Sequence, residues 1–241
     1  MDHWENFILT NFGDRVSISE KNKTLRKFGR NPSVGTSFET VQQGGGDETY
    51  LTSNDIVRVV SDNAGDSQLV QVEGHTISNG ELTFVIQTAT LNGTTNVTLD
   101  TPLARCTRLV NLGTTDFAGT ITAETSGGTA YITVTEGNQS EKCSTSVSNN
   151  DYYIITEFTG YCFDKSAATI EFIGELREVG ETNKVFRRVF STAGSNGQPT
   201  IEYFEPPFII PKNYDIRVRA KADGAGTDVG ATFNGYLAKV T

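Results

Sequence analysis

Cysteine, histidine, methionine and tryptophan are scarce: this chain of 241 residues has three Cys, two His, one Met and one Trp. Cys106, Cys143 and Cys162 are too few and too widely spaced for a zinc ribbon, and an odd number cannot all pair within one chain. Reduced, partly buried thiols are expected, because free cysteine packs as a small hydrophobe; a Cys106–Cys162 bridge stays open should the protein meet an oxidising exterior. His3 and His75 stand far apart and match no His-x-x-His, His-Glu-x-x-His or His/Cys ligand set, so neither a metal nor a cofactor is expected. His75, after Glu73-Gly74 on a strand edge, reads as a surface or turn histidine. No stretch approaches the roughly 20 apolar residues of a spanning helix, and Met1-Asp2-His3-Trp4-Glu5 lacks the basic start and apolar run of a signal peptide. The expectation is a protein without a membrane partner, kept in cytoplasm until assembled.

Catalytic patterns are equally thin. Gly44-Gly45-Gly46, Gly127-Gly128 and Gly224-Ala225-Gly226 lack the strand-glycine-helix context and the Lys-Ser/Thr of a phosphate cradle, and read as turns or flexible runs. Acidic residues are numerous enough that some carboxylates meet in space. Glycoside hydrolysis, however, needs two of them at a defined gap across a cleft, usually with aromatic platforms, and the one Trp lies near the N-terminus. An enzyme is therefore the weakest class.

What the chain does contain is Thr, Ser, Asn, Gly and Val, a composition that favours strands joined by turns. Gln68–Ile77 and Glu81–Ala89 flank Asn79-Gly80, whose two positive-φ residues suit a type I′ hairpin turn, and Asn92-Gly93 repeats the signal before Val97. Further strand-like runs are Arg105–Asn111, Gly119–Ala123, Ala130–Thr135, Tyr152–Phe163, Ala168–Leu176, Lys184–Phe190, Thr200–Phe204, Asp215–Ala220 and Thr232–Val240, with period-two alternation best in the C-terminal half, at Tyr152–Phe158, Ile170–Leu176 and Ile216–Lys221. The expected fold is all-β, an antiparallel β-sandwich of jelly-roll type, with 47–241 as one body and 1–46 as an N-terminal anchor and extended arm. The one candidate boundary inside the body is near Asp100-Thr101-Pro102.

Charge divides along the same line. Residues 1–35 carry net +2 and the remainder net −11, for −9 overall. An acidic body argues against a general nucleic-acid binder; only the basic stretch at 21–30 leaves that partner open. Trp4, Phe7, Ile8 and Phe12 share one face of a short helix expected over 2–12, which must dock on its own body or on a neighbour. Lys21, Lys23, Arg26, Lys27 and Arg30 then surround Leu25 and Phe28 on an arm expected to cross to an acidic neighbour or to packaged nucleic acid. Arg187, Arg188, Arg217, Arg219 and Lys221 load late strands with charge that blunts sheet edges. Tyr203-Phe204-Glu205-Pro206-Pro207-Phe208-Ile209-Ile210-Pro211 is an inter-sheet connection or a contact loop, with Tyr203, Phe204, Phe208 and Ile209 as its contact residues.

Thr24-Leu25-Arg26-Lys27-Phe28-Gly29-Arg30-Asn31, Thr36–Val41, Thr90–Thr95, Thr101–Arg105, Ile210–Ala220 and Gly235–Ala238 resemble phrases of virion structural proteins of tailed marine bacteriophages, over a span from about residue 24 to the end. The resemblance implies a non-enzymatic particle component in which sandwich bodies with arms assemble symmetrically. A capsid decoration or cement subunit is expected, found in the virion after assembly in the host cytoplasm. Its partners would be the major capsid protein or other virion subunits and copies of itself, as a trimer or other symmetric homo-oligomer. A neck or tail adaptor, a fibre-attachment protein, or a receptor- or carbohydrate-binding module built on Tyr152, Tyr153, Tyr161 and Tyr203 are the alternatives.

Overall fold

The computed structural model describes residues 16–17, 24–163, 169–180, 184–195, 197–224 and 226–240. The helix expected over 2–12, with Trp4, Phe7 and Ile8, lies outside them, as do Lys21 and Lys23. All regular structure among the described residues is antiparallel β: β1 (Val16–Ser17), β2 (Thr24–Val34), β3 (Glu39–Thr40), β4 (Ile56–Ser61), β5 (Leu69–Ser78), β6 (Glu81–Thr90), β7 (Val97–Leu103), β8 (Arg105–Asn111), β9 (Ile121–Thr125), β10 (Ala130–Val134), β11 (Ser144–Val147), β12 (Asp151–Cys162), β13 (Thr169–Glu178), β14 (Arg187–Ser195), β15 (Thr200–Ile210), β16 (Tyr214–Ala222) and β17 (Thr227–Val240).

These strands form four sheets. Sheet 1 runs β2-β17-β12-β15, with β1 pairing the far end of β17, and sheet 2 runs β11-β16-β13-β14, with β3 also on β16. Their inner faces share one core, in which Phe158, Phe172 and Phe233 are fully buried. Burying each such ring contributes about 1.5–3 kcal/mol. Sheet 3 (β10-β9-β4-β7) and sheet 4 (β6-β5-β8) enclose a second core around Val72, Leu103, Leu109 and Ile121. Residues 47–241 are thus not one body. A smaller sandwich is inserted between β3 and β11 of a larger one, and no composition shift marks its limits because both cores draw on the same period-two strands. Asp100-Thr101-Pro102 is no boundary; it lies inside β7.

The Asn79-Gly80 turn forms as expected, with φ of 52° and 76° between Ser78 and its partner Glu81. Residues 24–46, by contrast, are not an extended arm. β2 pairs with β17 along most of its length, and Asn31 and Val34 are buried. Gly44-Gly45-Gly46 is a turn of three positive-φ residues gathered around Glu39, whose carboxylate accepts from the Gly35 and Gly46 amides and the Asn31 side chain. The proline-rich contact loop is also strand: β15 pairs with β12 on both sides of a short excursion at Phe204–Pro207, where the prolines have no N–H for the ladder.

Gly29 lets β2 lie against the crossover. A Cβ there would stand 2.2 Å from the Val41 carbonyl oxygen and 2.3 Å from the Cys143 amide nitrogen, both backbone. Gly29→Ala is expected to cost about 3 kcal/mol in urea denaturation. Gly137→Ala, at a φ of 74° but in open space, should cost about 1 kcal/mol.

Candidate functional site

The two sandwiches meet along a dry, charged seam. Asp215 of β16 accepts hydrogen bonds from Arg105 of β8 (Nε and Nη2, each 3.0 Å), from Arg177 of β13 (Nε, 2.9 Å) and from the Ser146 hydroxyl of β11 (2.6 Å). Burial alone would raise the Asp215 carboxyl; the two guanidiniums and the hydroxyl outweigh it and hold it below the usual carboxylate range. The Arg105 fork also donates to the Leu51 and Ala104 carbonyls. The Tyr50 ring lies under both arginines, 5.1 Å from Arg105 and 4.1 Å from Arg177. Where the chain passes between lobes, Glu48 takes Lys142 at 2.6 Å and the hydroxyls of Tyr50 and Tyr131.

Beside the seam lies an open cleft of about 910 Å³. One wall is the outer face of sheet 4, with Phe84 and Ile86 exposed and Glu73 and Arg108 between them; the other is the start of β2, with Leu25 and Phe28. Cross-strand register explains the grouping, since Glu73 stands opposite Ile86 and Arg108, and His75 opposite Phe84. Lys27 reaches across to donate to the Thr107 carbonyl at 2.7 Å, and burial, aided by Lys142, lowers its pKa to about 8. The His75 ring lies against Phe84, at 5.3 Å between ring centroids. It is fully buried on the central strand of sheet 4, not at a surface turn. Burial, with Arg105 and Lys27 nearby, lowers it to about 3 against the partial pull of Asp215, so it stays neutral.

The described residues expected on a free arm, Leu25 to Arg30, lie in β2 within sheet 1. Lys27 bridges the lobes, Arg30 pairs in fork geometry with Asp228 and also meets Glu136, Leu25 packs on the large core, and Arg26 and Phe28 line the cleft. Their partners lie 80 to 198 residues away in sequence, so local charge clustering reads as an unsatisfied arm. Of the expected contact residues, Tyr203 is 68% exposed, while Phe204, Phe208 and Ile209 are half-buried. Tyr152, Tyr153, Tyr161 and Tyr203 form no common groove: Tyr153 is buried at the cleft, and Tyr161 stacks on Phe163 at 6.0 Å. Arg217, Arg219 and Lys221 do not blunt an edge either. They lie on β16, inside sheet 2, paired with Glu175, Asp47 and Glu171 and stacked on Phe186 and Phe38.

Cys106 and Cys162 belong to different cores and form no bridge; burial pushes the Cys106 thiol up to about 12. Among the described residues no set of His, Cys, Asp and Glu gathers as a metal site. Sequence reading missed Asp215, Arg105, Arg177 and Glu48. Apolar neighbours around single charges, as in Leu103-Ala104-Arg105-Cys106, were the one available signal.

Asp215→Ala leaves two guanidiniums buried without a counter-charge and should cost about 3–5 kcal/mol by urea denaturation, much of it recovered when Arg105→Met and Arg177→Leu are added. For His75, the unfolded chain takes a proton below its ordinary value of 6.5 while the folded chain does not until about 3. Between those limits stability falls as pH falls, by up to about 1.4 kcal/mol per pH unit. His75→Phe should flatten the dependence of melting temperature on pH between 6 and 4.5 (about one proton's share) and change little at pH 8.

No protein-family model and no curated protein matches the chain. Among solved structures it is similar to the CBM22-1–CBM22-2 tandem domain of Paenibacillus barcinonensis Xyn10C, at 12% identity over 94% of this chain and 97% of that one, TM-score 0.27. It is also similar to a chain of infectious bursal disease virus Gt strain, at 14% identity over 98% and 77%, TM-score 0.25. The VP2 subviral particle of that virus aligns at 11% identity over 99% and 78%, TM-score 0.24. Likenesses at this level carry no functional inference.

Proposed function

We propose that this chain is a non-enzymatic virion structural protein of the tailed-bacteriophage kind, acting as a capsid decoration or cement subunit. The strand order of the larger lobe carries the reading. Counting β2 and β11 to β17 as eight strands in chain order, sheet 1 runs first-eighth-third-sixth and sheet 2 runs second-seventh-fourth-fifth. That is the winding of a jelly roll, two Greek keys folded face to face, an architecture used by viral capsid and lectin domains. The phrases between residues 24 and 241 that resemble phage virion proteins support the same assignment.

Such a subunit works by burying surface against neighbours, and the Asp215 seam ties its two lobes together. Its partners are the major capsid protein or other virion subunits and copies of itself in a trimer or another symmetric assembly. Because β2 is built into sheet 1, the tether narrows to the residues before it, and β2 offers no spare basic arm to nucleic acid. A neck or tail adaptor remains the alternative placement.

A second reading, a receptor- or carbohydrate-binding module, is favoured by the aromatic cleft with Phe84 and Phe28. A glycan array probed with the chain and with Phe84→Ala tests it; no glycan lost on substitution rejects it.

Particles grown with the chain lacking residues 1–15 should carry less of it, while the truncated chain melts as the full one does. Quantitative mass spectrometry should find the full chain in proportion to the shell subunits. A copy number matching a single ring favours the neck, and absence from purified particles overturns the virion assignment.

A further inference from the structure

We propose that the cleft between the lobes is a docking groove for residues 2–12 of a neighbouring copy of this chain, with Trp4, Phe7 and Ile8 as apolar anchors. This rests on the reading of the chain as an assembly subunit and names the contact that ties copies together.

Three observations converge on that occupant. First, the cleft has the size of a site that engulfs side chains, about 910 Å³ where ligand pockets span about 300–1,000 Å³. Phe84 and Ile86 stand 42% and 58% exposed on one wall, facing Leu25 and Phe28 on the other. Apolar side chains paired across an open groove are a surface awaiting cover.

Second, the charges complement. The protein carries net −9, so copies repel in general. Yet the cleft has Arg26, Lys27 and Arg108 against Glu73 and Asp151, a cationic excess. Residues 1–14 hold Asp2, Glu5 and Asp14 and no lysine or arginine. An acidic segment with an aromatic stripe is the complement of a cationic groove with an aromatic wall.

Third, the chain enters from the correct place. Thr24, the first residue of β2, is itself in the cleft wall. β1 continues the line of β2 along β17, with Val16 opposite Val240, beyond the Leu237 that lines the cleft. Residues 1–15 precede Val16 in the chain, and fifteen residues can span about 50 Å when extended, enough to reach the cleft of an adjoining copy. A two-fold placing two cleft mouths together would let copies exchange segments in a closed, isologous contact.

The test uses the full chain with the photoreactive residue benzoylphenylalanine in place of Ile86, and separately of Phe84, both solvent-facing so that folding is undisturbed; the melting temperature checks this. Each is mixed with ¹⁵N-labelled wild-type chain at high concentration, irradiated and mapped by mass spectrometry. The expected crosslinks join position 86 or 84 to residues 2–12 of the other isotopic copy, and fall about tenfold when the labelled chain carries Trp4→Ser and Ile8→Ser. Crosslinks confined to the same copy, crosslinks only to other regions, or none at all overturn the proposal. The particle assay is independent: a missing crosslink with normal particle incorporation rejects this docking alone, whereas a crosslink in a chain absent from particles rejects the virion reading alone.

Discussion

The architecture depends on a single buried carboxylate. Asp215 sits between Arg105 of one sandwich and Arg177 of the other, with the aspartate and Arg105 almost wholly withdrawn from solvent. Ions so placed lose several kcal/mol of hydration each, and their mutual attraction offsets this only while every bond is made. A relative slide of the lobes by a few ångströms would leave a charge dry and unpaired. The seam therefore tolerates few geometries, and the cleft walls, one from each lobe, hold their spacing for the same reason.

The inserted sandwich is secured by more than this. Both crossing segments are pinned where Glu48 gathers Lys142, Tyr50 and Tyr131, and Asn213, at a left-handed φ of 57°, accepts from the Leu82 amide of the smaller lobe at 2.9 Å. On the outer face of sheet 2, cations stack over Phe38 and Phe186 while pairing with Glu171 and Glu175. Charge that looks like solvated decoration in the sequence is thus packed over aromatic rings. Exposed apolar side chains include Phe84 and Ile86 at the cleft, Ile201 and Tyr203 on β15, and Val185, Phe163 and Leu112 elsewhere.

Three buried titratable groups of this chain are held in one protonation state over a wide pH range, His75 neutral, Cys106 a thiol and Asp215 ionised, whereas burial brings Lys27 to about 8. Two pairs of packed antiparallel sheets, each with its own core, meet at the Asp215 seam.

The sequence by itself determined the all-β class, most strands of the C-terminal half and the tightest turn. Period-two alternation in β12, β13 and β16 and the Asn79-Gly80 dipeptide act through neighbours within a few residues, where local sterics decide. Which strands pair, that 47–142 closes on its own core, and that Arg26 to Arg30 belong to a sheet were decided only in the tertiary structure. Those outcomes turn on partners as distant as Asp228 from Arg30 and Asp215 from Arg105. A charge beside apolar residues reads the same whether it meets water or a counter-ion a hundred residues away, because the difference lies in the solvent it loses on folding and not in the residues beside it.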